Sequence, residues 1–212
     1  NTKKDLIDIY NVDPEKIAVT YLGYPQKENN LKRIITSPYI LFVGTRWKYK
    51  NFENLLSAIF LSKKITKSFK LVVFGGGKFS KFELSLFKKY QFNKNDIVHI
   101  EGNDYKLYSC FNFASAFVYP SLYEGFGLPI LESFLYNCPV ICSNTSSLPE
   151  VAGDGAEYFD PYLPESIMLA LEKVLFSEDR RNTLIKNGKT QLKKFSWDKC
   201  VNQTLAIYNK LI

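Results

Sequence analysis

Short apolar runs alternate with longer amphipathic segments along most of this chain. The runs are rich in β-branched and aromatic residues, and they do not alternate cleanly between apolar and polar positions. This pattern is typical of strands that are buried on both faces of a parallel sheet. The predicted strands span residues 39–44, 69–74, 97–100, 116–119 and 140–143.

The amphipathic segments between these runs predict helices. Asn51 is expected to cap the first long helix, with Glu53 in its first turn, and Pro129 suits the first turn of another. Ser177 and Ser196 are further N-cap candidates. The predicted helices span residues 51–64, 81–90, 105–113, 128–136, 165–176, 177–194 and 196–211.

Regular alternation of strands and helices predicts an α/β fold, a Rossmann-like three-layer parallel sheet flanked by helices, with right-handed crossovers. Ligands of such sheets bind beyond the carboxyl ends of the strands. Segments that carry glycine, proline or charge follow the predicted strands, so we expect them to converge on one rim. These segments are 44–51, 75–78, 102–104, 120–127 and 143–149.

Residues 1–38 fit this alternation less well. They predict a short helix, a strand at 17–21 and a polar loop at 27–30. We interpret them as a connector from an upstream part of a longer protein.

The composition is that of an ordinary globular domain. Of the 212 residues, 46% are hydrophobic and 23% are charged, which argues against disorder. The net charge of +7 leaves two interpretations open: a solvated basic surface, or affinity for phosphates or an anionic membrane surface. The apolar runs are too short to span a bilayer, no signal peptide is recognised, and no nucleic-acid partner is expected.

Cysteine usage argues against a structural zinc site. Cys110, Cys138, Cys142 and Cys200 form no Cys-x-x-Cys pair, and His99 is the one histidine of the sequence. We expect reduced thiols and a cytoplasmic location, with peripheral attachment at the inner face of the membrane left open.

The stretch from Glu124 to Glu132 carries the strongest functional signal. A helix that begins near Leu128 would direct the backbone N–H groups of Gly127 and Leu128 towards an anion such as a diphosphate. Glu132 would accept hydrogen bonds from vicinal hydroxyls such as those of a ribose, and Glu124 would bind sugar hydroxyls or stabilise positive charge. The alternative is that Glu132 only complements the helix dipole and that Glu124 is solvated.

Two other loops supply cations and glycines. Arg46 and Lys50 lie between a strand and a helix, where they would clamp a diphosphate; the alternative is two surface cations. The glycines at 75–77 allow close approach of a ligand, or they form a plain turn. Ser80 stands where the dinucleotide fingerprint needs a third glycine, and the P-loop spacing is also absent.

The sequence contains no Asp-x-Asp motif. Enzymes that hold a nucleotide diphosphate through a divalent metal usually supply carboxylates close together. We therefore expect no metal and no cofactor. Arg46, Lys50 and helix N-termini would neutralise the leaving group by electrostatic preorganisation.

Together these residues resemble the C-terminal, donor-binding half of a GT-B glycosyltransferase, most closely glycosyltransferase family 4 (group 1). The resemblance runs from about residue 15 to the C-terminus. It is carried by the Glu-x7-Glu element of Glu124 and Glu132, by Val-Tyr-Pro-Ser at 118–121, and by 148–153 with the Asp-Pro pair after it. Two features depart from the family pattern: Thr45 occupies the place where many members have arginine, and the segment 102–120 is short.

The resemblance implies a role for each matched residue. Glu132 would bind the ribose, and Glu124 would contact the donor sugar as the candidate catalytic residue. The fold implies anomeric retention, with the donor phosphate helping to deprotonate the acceptor, and residues 99–103 would border the base. The expected donor-binding residues are Arg46, Lys50, Gly75, Gly102, Asn103, Glu124, Gly125, Phe126, Gly127, Leu128 and Glu132.

The resemblance also implies that an N-terminal acceptor domain precedes this chain. Residues 1–25 would then be the remnant of that domain with its linker, 26–195 the donor-binding domain, and 196–212 a terminal crossover helix that is mobile or repacked. We expect the isolated fragment to be inactive.

The implied function is metal-independent, retaining transfer of a sugar from a nucleotide-diphospho-sugar to a glycan or lipid-linked acceptor, in polysaccharide biosynthesis. A nucleotide-sugar 2-epimerase of the same architecture is one alternative, although it would need more acid–base groups than this chain offers. For the isolated fragment, a non-catalytic nucleotide-sugar binding module is the other.

Overall fold

The computed structural model describes residues 1–210 as an α/β fold around one parallel sheet. The sheet has six strands in the order β3-β2-β1-β4-β5-β6, so the chain winds outwards in both directions from the boundary between β1 and β4. The strands are β1 (Tyr39–Val43), β2 (Lys70–Phe74), β3 (Ile97–Ile100), β4 (Ala116–Tyr119), β5 (Val140–Ser143) and β6 (Ala156–Phe159). The predicted Rossmann-like class is confirmed, as are the five predicted strands.

The strand β6 lies outside the predicted set because Glu157 interrupts its short apolar pattern. In the fold this buried carboxylate is neutralised from two sides, by Lys173 Nζ at 2.7 Å and Arg180 Nε at 2.7 Å. Neutralisation from a neighbouring element makes burial of a charged residue in a strand tolerable.

Helices cover both faces of the sheet. One apolar core holds residues of α2, α3, α4 and α8, and the other holds residues of α5, α6 and α7, while α9 contributes to both. The helices are α1 (Thr2–Tyr10), α2 (Phe52–Leu61), α3 (Lys63–Ser68), α4 (Lys81–Lys89), α5 (Asp104–Phe113), α6 (Leu128–Leu135), α7 (Leu148–Ala152), α8 (Pro164–Leu175), α9 (Glu178–Leu192) and α10 (Trp197–Tyr208).

The prediction of one helix over 51–64 is wrong, because the chain breaks at Ser62. Ser62 has extended backbone angles and its hydroxyl accepts a hydrogen bond from Ile65 N, so it caps the second helix, α3. Asn51 does not cap α2 with its side chain. It adopts a left-handed conformation, and its Nδ2 donates to the Pro161 carbonyl at 2.7 Å.

The caps predicted for the last two helices are confirmed. The hydroxyl of Ser177 accepts a hydrogen bond from Arg180 N, and that of Ser196 accepts one from Lys199 N. Helix α10 leaves its apolar side chains about half exposed, and none of its residues is buried. Leu211, the predicted end of this helix, lies outside the described residues.

The predicted N-terminal helix is confirmed as α1, but the strand predicted at 17–21 is wrong. This segment forms no ladder with another segment in residues 1–210. A strand needs a neighbour for its backbone N–H and C=O groups, so an apolar β-branched pattern alone does not produce one.

Among residues 1–210, no helix combines the length and the apolar character needed to cross a membrane.

Candidate functional site

The loops that follow β1, β2 and β4 meet at the carboxyl edge of the sheet, as predicted. Gly44 N donates to the Phe74 carbonyl at 2.9 Å, which keeps the first two loops side by side. Leu122 N donates to the Tyr49 carbonyl at 2.7 Å, which joins the loop after β4 to the loop after β1. The meeting point lies where the strand order reverses, and ligands of doubly wound sheets bind at this position.

Lys50 and Glu124 form the central ion pair of this edge. Lys50 Nζ lies 2.6 Å from Glu124 Oε1, and the two side chains are 12% and 13% exposed. The ammonium also donates to the hydroxyl of Tyr119 at 3.3 Å and lies 5.0 Å from the centre of its ring. Two residues predicted to bind the donor are thus in direct contact.

Tyr119 is a neutral partner in this group. Its burial, followed by the nearby carboxylate of Glu124, raises the pKa of the phenol far above its ordinary value. The hydroxyl therefore remains protonated and acts as a hydrogen-bonding group, not as a base. Its position at the end of β4 was visible in the sequence, but its contact with Lys50 was not.

Glu132 lies on the second turn of α6, and its carboxyl group has no recorded hydrogen bond or ion pair with residues 1–210. Burial, reinforced by the carboxylate of Asp104, raises the pKa of Glu132 to about 7. Asp104 begins the neighbouring helix α5. A half-buried carboxyl group without a partner is an acceptor that hydroxyl groups of a ligand can satisfy.

The N-terminus of α6 is free of a side-chain cap, as the predicted anion site requires. Gly127 occupies the N-cap position with φ of 115°, and Pro129 lies in the first turn. A side chain at Gly127 would press against Leu148. Pro129 has no N–H and Ile130 N donates to the Gly127 carbonyl at 2.9 Å, so the N–H groups of Gly127 and Leu128 are the ones left for an anion, which the helix dipole favours.

The side chain of Phe126 anchors the loop between Glu124 and α6. Its ring packs against Tyr21 and Phe195, with ring centres 6.1 Å and 5.9 Å apart. The phenyl group is therefore packed against other aromatic rings and is not free to contact a ligand. A ligand at this loop would contact the backbone groups of Gly125 and Phe126.

Arg46 is built into the glycine turn that follows β2. Its guanidinium donates to the carbonyls of Gly75 at 2.9 Å and Gly77 at 2.8 Å, and it pairs with Glu83; its side chain is 4% exposed. No recorded hydrogen bond or ion pair within residues 1–210 joins Arg46 to Lys50 or Glu124. The structure thus places the two predicted phosphate ligands in different surroundings.

Gly102 and Asn103 lie where β3 leads into α5. The side chain of Asn103 caps α5 by accepting a hydrogen bond from Lys106 N at 3.3 Å, and Gly102 packs closely on the Lys106 side chain. His99, at the same strand end, makes a hydrogen bond of 3.1 Å with the Gly75 carbonyl. This corner is therefore tied to the glycine turn after β2.

Three hydroxyls that are not among the predicted donor-binding residues hold the loop of Glu124. Thr145 donates to the Leu122 carbonyl at 3.1 Å, and Ser147 donates to the carbonyls of Glu124 and Phe126, both at 2.8 Å. Ser146 Oγ accepts a hydrogen bond from Glu124 N at 3.0 Å. The sequence placed these residues after a strand, but it carried no indication of their partners.

Two cavities flank the Lys50–Glu124 pair without including it. One, of about 550 Å³, lies beside the Arg46 turn, with Trp47 and Phe82 in its lining. The other, of about 730 Å³, lies between the N-terminal segment and the loop of Gly125 and Phe126. Residues 1–210 contain no group of three or more His, Cys, Asp or Glu side chains that could hold a metal ion.

Comparisons with known proteins identify the family of this chain and agree with its fold. Residues 24–191 match the model of the family described as glycosyl transferases group 1. O-antigen chain mannosyltransferase B of Escherichia coli is 34% identical over 223 residues, which cover 99% of this chain and 58% of the relative. A glycosyltransferase structure from Rickettsia africae superposes with a TM-score of 0.80 at 18% identity, over 99% of this chain and 61% of that one.

A second solved structure shows the same fold. TarM from S. aureus, in a complex that includes UDP, superposes with a TM-score of 0.80 at 13% identity, over 98% of this chain and 42% of its own. The chain spans less than two thirds of the length of each of these three proteins. The structural neighbours are GT-B glycosyltransferases, while membership of family 4 stays a prediction. The family match over residues 24–191 shows that the chain belongs to the group 1 glycosyl transferases.

Proposed function

We propose that this chain binds the nucleotide-diphospho-sugar donor of a glycosyltransferase that acts on a glycan or lipid-linked acceptor. The observation that carries the proposal is the contact of 2.6 Å between Lys50 and Glu124, beside the uncapped N-terminus of α6. A cation and backbone donors suit a diphosphate, and the adjacent carboxylate suits sugar hydroxyls. The E. coli relative is a mannosyltransferase, so a mannosyl donor is the first to test.

Each predicted residue has a role in this proposal. Lys50 and the backbone N–H groups of Gly127 and Leu128 bind the diphosphate, and Glu124 binds the sugar. Glu132 accepts hydrogen bonds from the ribose hydroxyls. Arg46 supports the diphosphate site by shaping the glycine turn. The surrounding backbone of Gly75, Gly102, Asn103, Gly125 and Phe126 completes the donor-binding surface.

The transfer that we propose is retaining and independent of metal. The acceptor hydroxyl attacks the anomeric carbon from the side on which the diphosphate leaves, and its proton passes to a phosphate oxygen of the leaving group. Lys50 and the N-terminus of α6 stabilise the charge that develops on that group. Glu124 orients the sugar and stabilises positive charge that develops on it.

We propose that the acceptor is bound by a part of the protein outside this chain. The chain covers 58% of the length of the mannosyltransferase from E. coli, and its helix α10 leaves an apolar side half exposed. The 212-residue chain should therefore bind donor without transferring sugar. Detectable transfer by this chain alone would contradict that division of labour.

Calorimetry tests the donor site directly. Wild type and Glu132→Gln would be titrated with GDP, UDP, ADP and TDP and with a sugar derivative of each. The ligand that binds best would then be compared with its 2′-deoxy or, for TDP, its ribose counterpart. Wild type should prefer the ribose form, and Glu132→Gln should lose that preference, since an amide accepts fewer hydroxyl hydrogen bonds. Failure of every nucleotide to bind, or an unchanged preference in Glu132→Gln, would refute the assignment.

A further inference from the structure

Two consecutive serines form hydrogen bonds with the backbone N–H and the backbone carbonyl of Glu124. Ser146 Oγ accepts a hydrogen bond from Glu124 N at 3.0 Å, and Ser147 Oγ donates to the Glu124 carbonyl at 2.8 Å. Ser147 donates equally to the carbonyl of Phe126, two residues further along the same loop. Rotation of either peptide group beside Glu124 would break one of these bonds.

Ser146 holds its hydroxyl in place at a conformational cost. Its φ is +54°, in the left-handed region where glycine is free of the steric penalty of a β-carbon. Glycine at this position would relieve the backbone but would remove the only group that accepts from Glu124 N in the recorded contacts. Strain of this kind clusters at functional sites, where the surrounding structure holds it in place.

Ser147 also departs from the ordinary use of its position. It is the N-cap residue of α7, where a serine hydroxyl usually accepts a hydrogen bond from the first turn of the helix. Here its side chain makes no cap hydrogen bond and is instead directed to the Glu124 loop. The residue is buried, so water is a poor substitute for these contacts.

We propose that Ser146 and Ser147 are positioning residues that set the orientation of Glu124 towards the donor sugar. The proposal rests on the proposed function, in which Glu124 contacts the sugar. Lys50 holds the carboxylate end of Glu124, and the two serines hold its backbone end. Loss of the serine contacts should therefore weaken recognition of the sugar and leave recognition of the nucleotide intact.

The decisive variant is Ser146→Gly, because it removes the hydroxyl and relieves the strained backbone at the same time. Binding to the 212-residue chain would be measured by calorimetry for GDP against GDP-mannose and for UDP against UDP-glucose. In the pair that wild type binds, the dissociation constant for the nucleotide-sugar should rise about five- to tenfold, the worth of one hydrogen bond. The constant for the nucleoside diphosphate should change less than about twofold, and Tm by less than about 4 °C.

A matched control is available at Gln91. This exposed residue also has a positive φ, of 56°, and its side chain makes no recorded hydrogen bond in residues 1–210. Gln91→Gly therefore makes the same kind of backbone change away from the loop of Glu124. It should leave both dissociation constants as they are in wild type.

A second variant, Ser147→Ala, removes a hydroxyl without the added backbone freedom that glycine brings. It should raise the dissociation constant of the nucleotide-sugar alone, as we expect for Ser146→Gly. The positioning role would be overturned if binding of the nucleotide and of the nucleotide-sugar weakened equally, or if neither dissociation constant changed. A lowered Tm with unchanged dissociation constants would likewise show that the serines are structural. If wild type binds no nucleotide at all, the proposed function fails first and the positioning role fails with it.

Discussion

Lys50 Nζ lies 2.6 Å from Glu124 Oε1, and this contact joins the loop after β1 to the loop after β4. The two strands are neighbours at the point where the sheet order reverses. The pair therefore brings a cation and a carboxylate to the edge at which doubly wound sheets bind their ligands. Under the proposed function, a diphosphate in this site would share the ammonium with Glu124.

Replacement of Lys50 should weaken diphosphate binding strongly. Lys50→Met removes a charged donor, and a hydrogen bond to a charged group is worth about 1.5–3 kcal/mol, so the dissociation constant of a nucleoside diphosphate should rise at least tenfold. Calorimetry measures this directly. The matched control is Lys48→Met, since Lys48 is exposed in the same loop and makes no recorded ion pair in the described chain. Equal effects of the two variants would mean that only general positive charge matters.

The hydroxyl of Tyr119 should tune the position of Lys50. Tyr119→Phe keeps the buried ring and deletes the oxygen that accepts from Lys50 at 3.3 Å. We expect the dissociation constant of a nucleoside diphosphate to rise about two- to fivefold, because one modest hydrogen bond is lost. Tyr39→Phe is the comparison, since the Tyr39 hydroxyl donates to the Cys110 carbonyl inside the core. It should lower stability without changing binding, and the opposite pattern would argue against a link between Tyr119 and the site.

Glu132 should make stability depend on pH. Burial and the carboxylate of Asp104 raise its pKa to about 7, from an ordinary value of 4.5. Below pH 4.5 the group is protonated in both the folded and the unfolded chain, so it has no effect. As the pH rises from 4.5 to 7 the unfolded chain loses the proton first, so the contribution of Glu132 becomes destabilising and then levels off. Glu132→Gln should therefore raise Tm at pH 8 and leave it unchanged at pH 4.

The same titration should affect ligand binding. A carboxylate accepts hydroxyl hydrogen bonds better than a protonated acid, so nucleotide affinity should increase between pH 6 and pH 8 in wild type. Asp104→Asn removes the like charge beside Glu132 and should move this increase to lower pH. An affinity that is independent of pH in wild type, or an identical profile in Asp104→Asn, would contradict the proposed carboxylate contact.

Gly76 should be the least replaceable glycine of the turn after β2. A β-carbon there would lie 2.6 Å from Arg46 Nη1 and 2.8 Å from the Gly44 carbonyl oxygen, at a φ of +76°. Gly76→Ala should cost about 2–5 kcal/mol of unfolding free energy, from backbone strain and overpacking together. At Gly77 a β-carbon would meet nothing within 4 Å, so Gly77→Ala should cost only the strain of about 1–2 kcal/mol. Urea denaturation of both variants measures the difference, and equal losses would refute the packing argument.

Local pattern predicted most of the framework. Five strands are short apolar runs, and their length and their content of β-branched and aromatic residues favour buried strands over helices. Glu157 concealed β6, since the residues that neutralise it, Lys173 and Arg180, come from other elements. Residues 17–21 have the composition of a strand, but strand formation requires a neighbour that the described residues do not supply.

The site divides in the same way. The order of glycine, proline and carboxylates between Glu124 and Glu132 was enough to predict a strand end, a helix start and a family resemblance, because these depend on neighbours in sequence. Tertiary structure decided three contacts: the ion pair of Glu124 with Lys50, the hydrogen bonds of Arg46 to the glycine turn, and the hydrogen bond of Glu124 N to Ser146. Each is a hydrogen bond or an ion pair between segments far apart in the chain, and only the packed sheet brings their atoms within bonding distance.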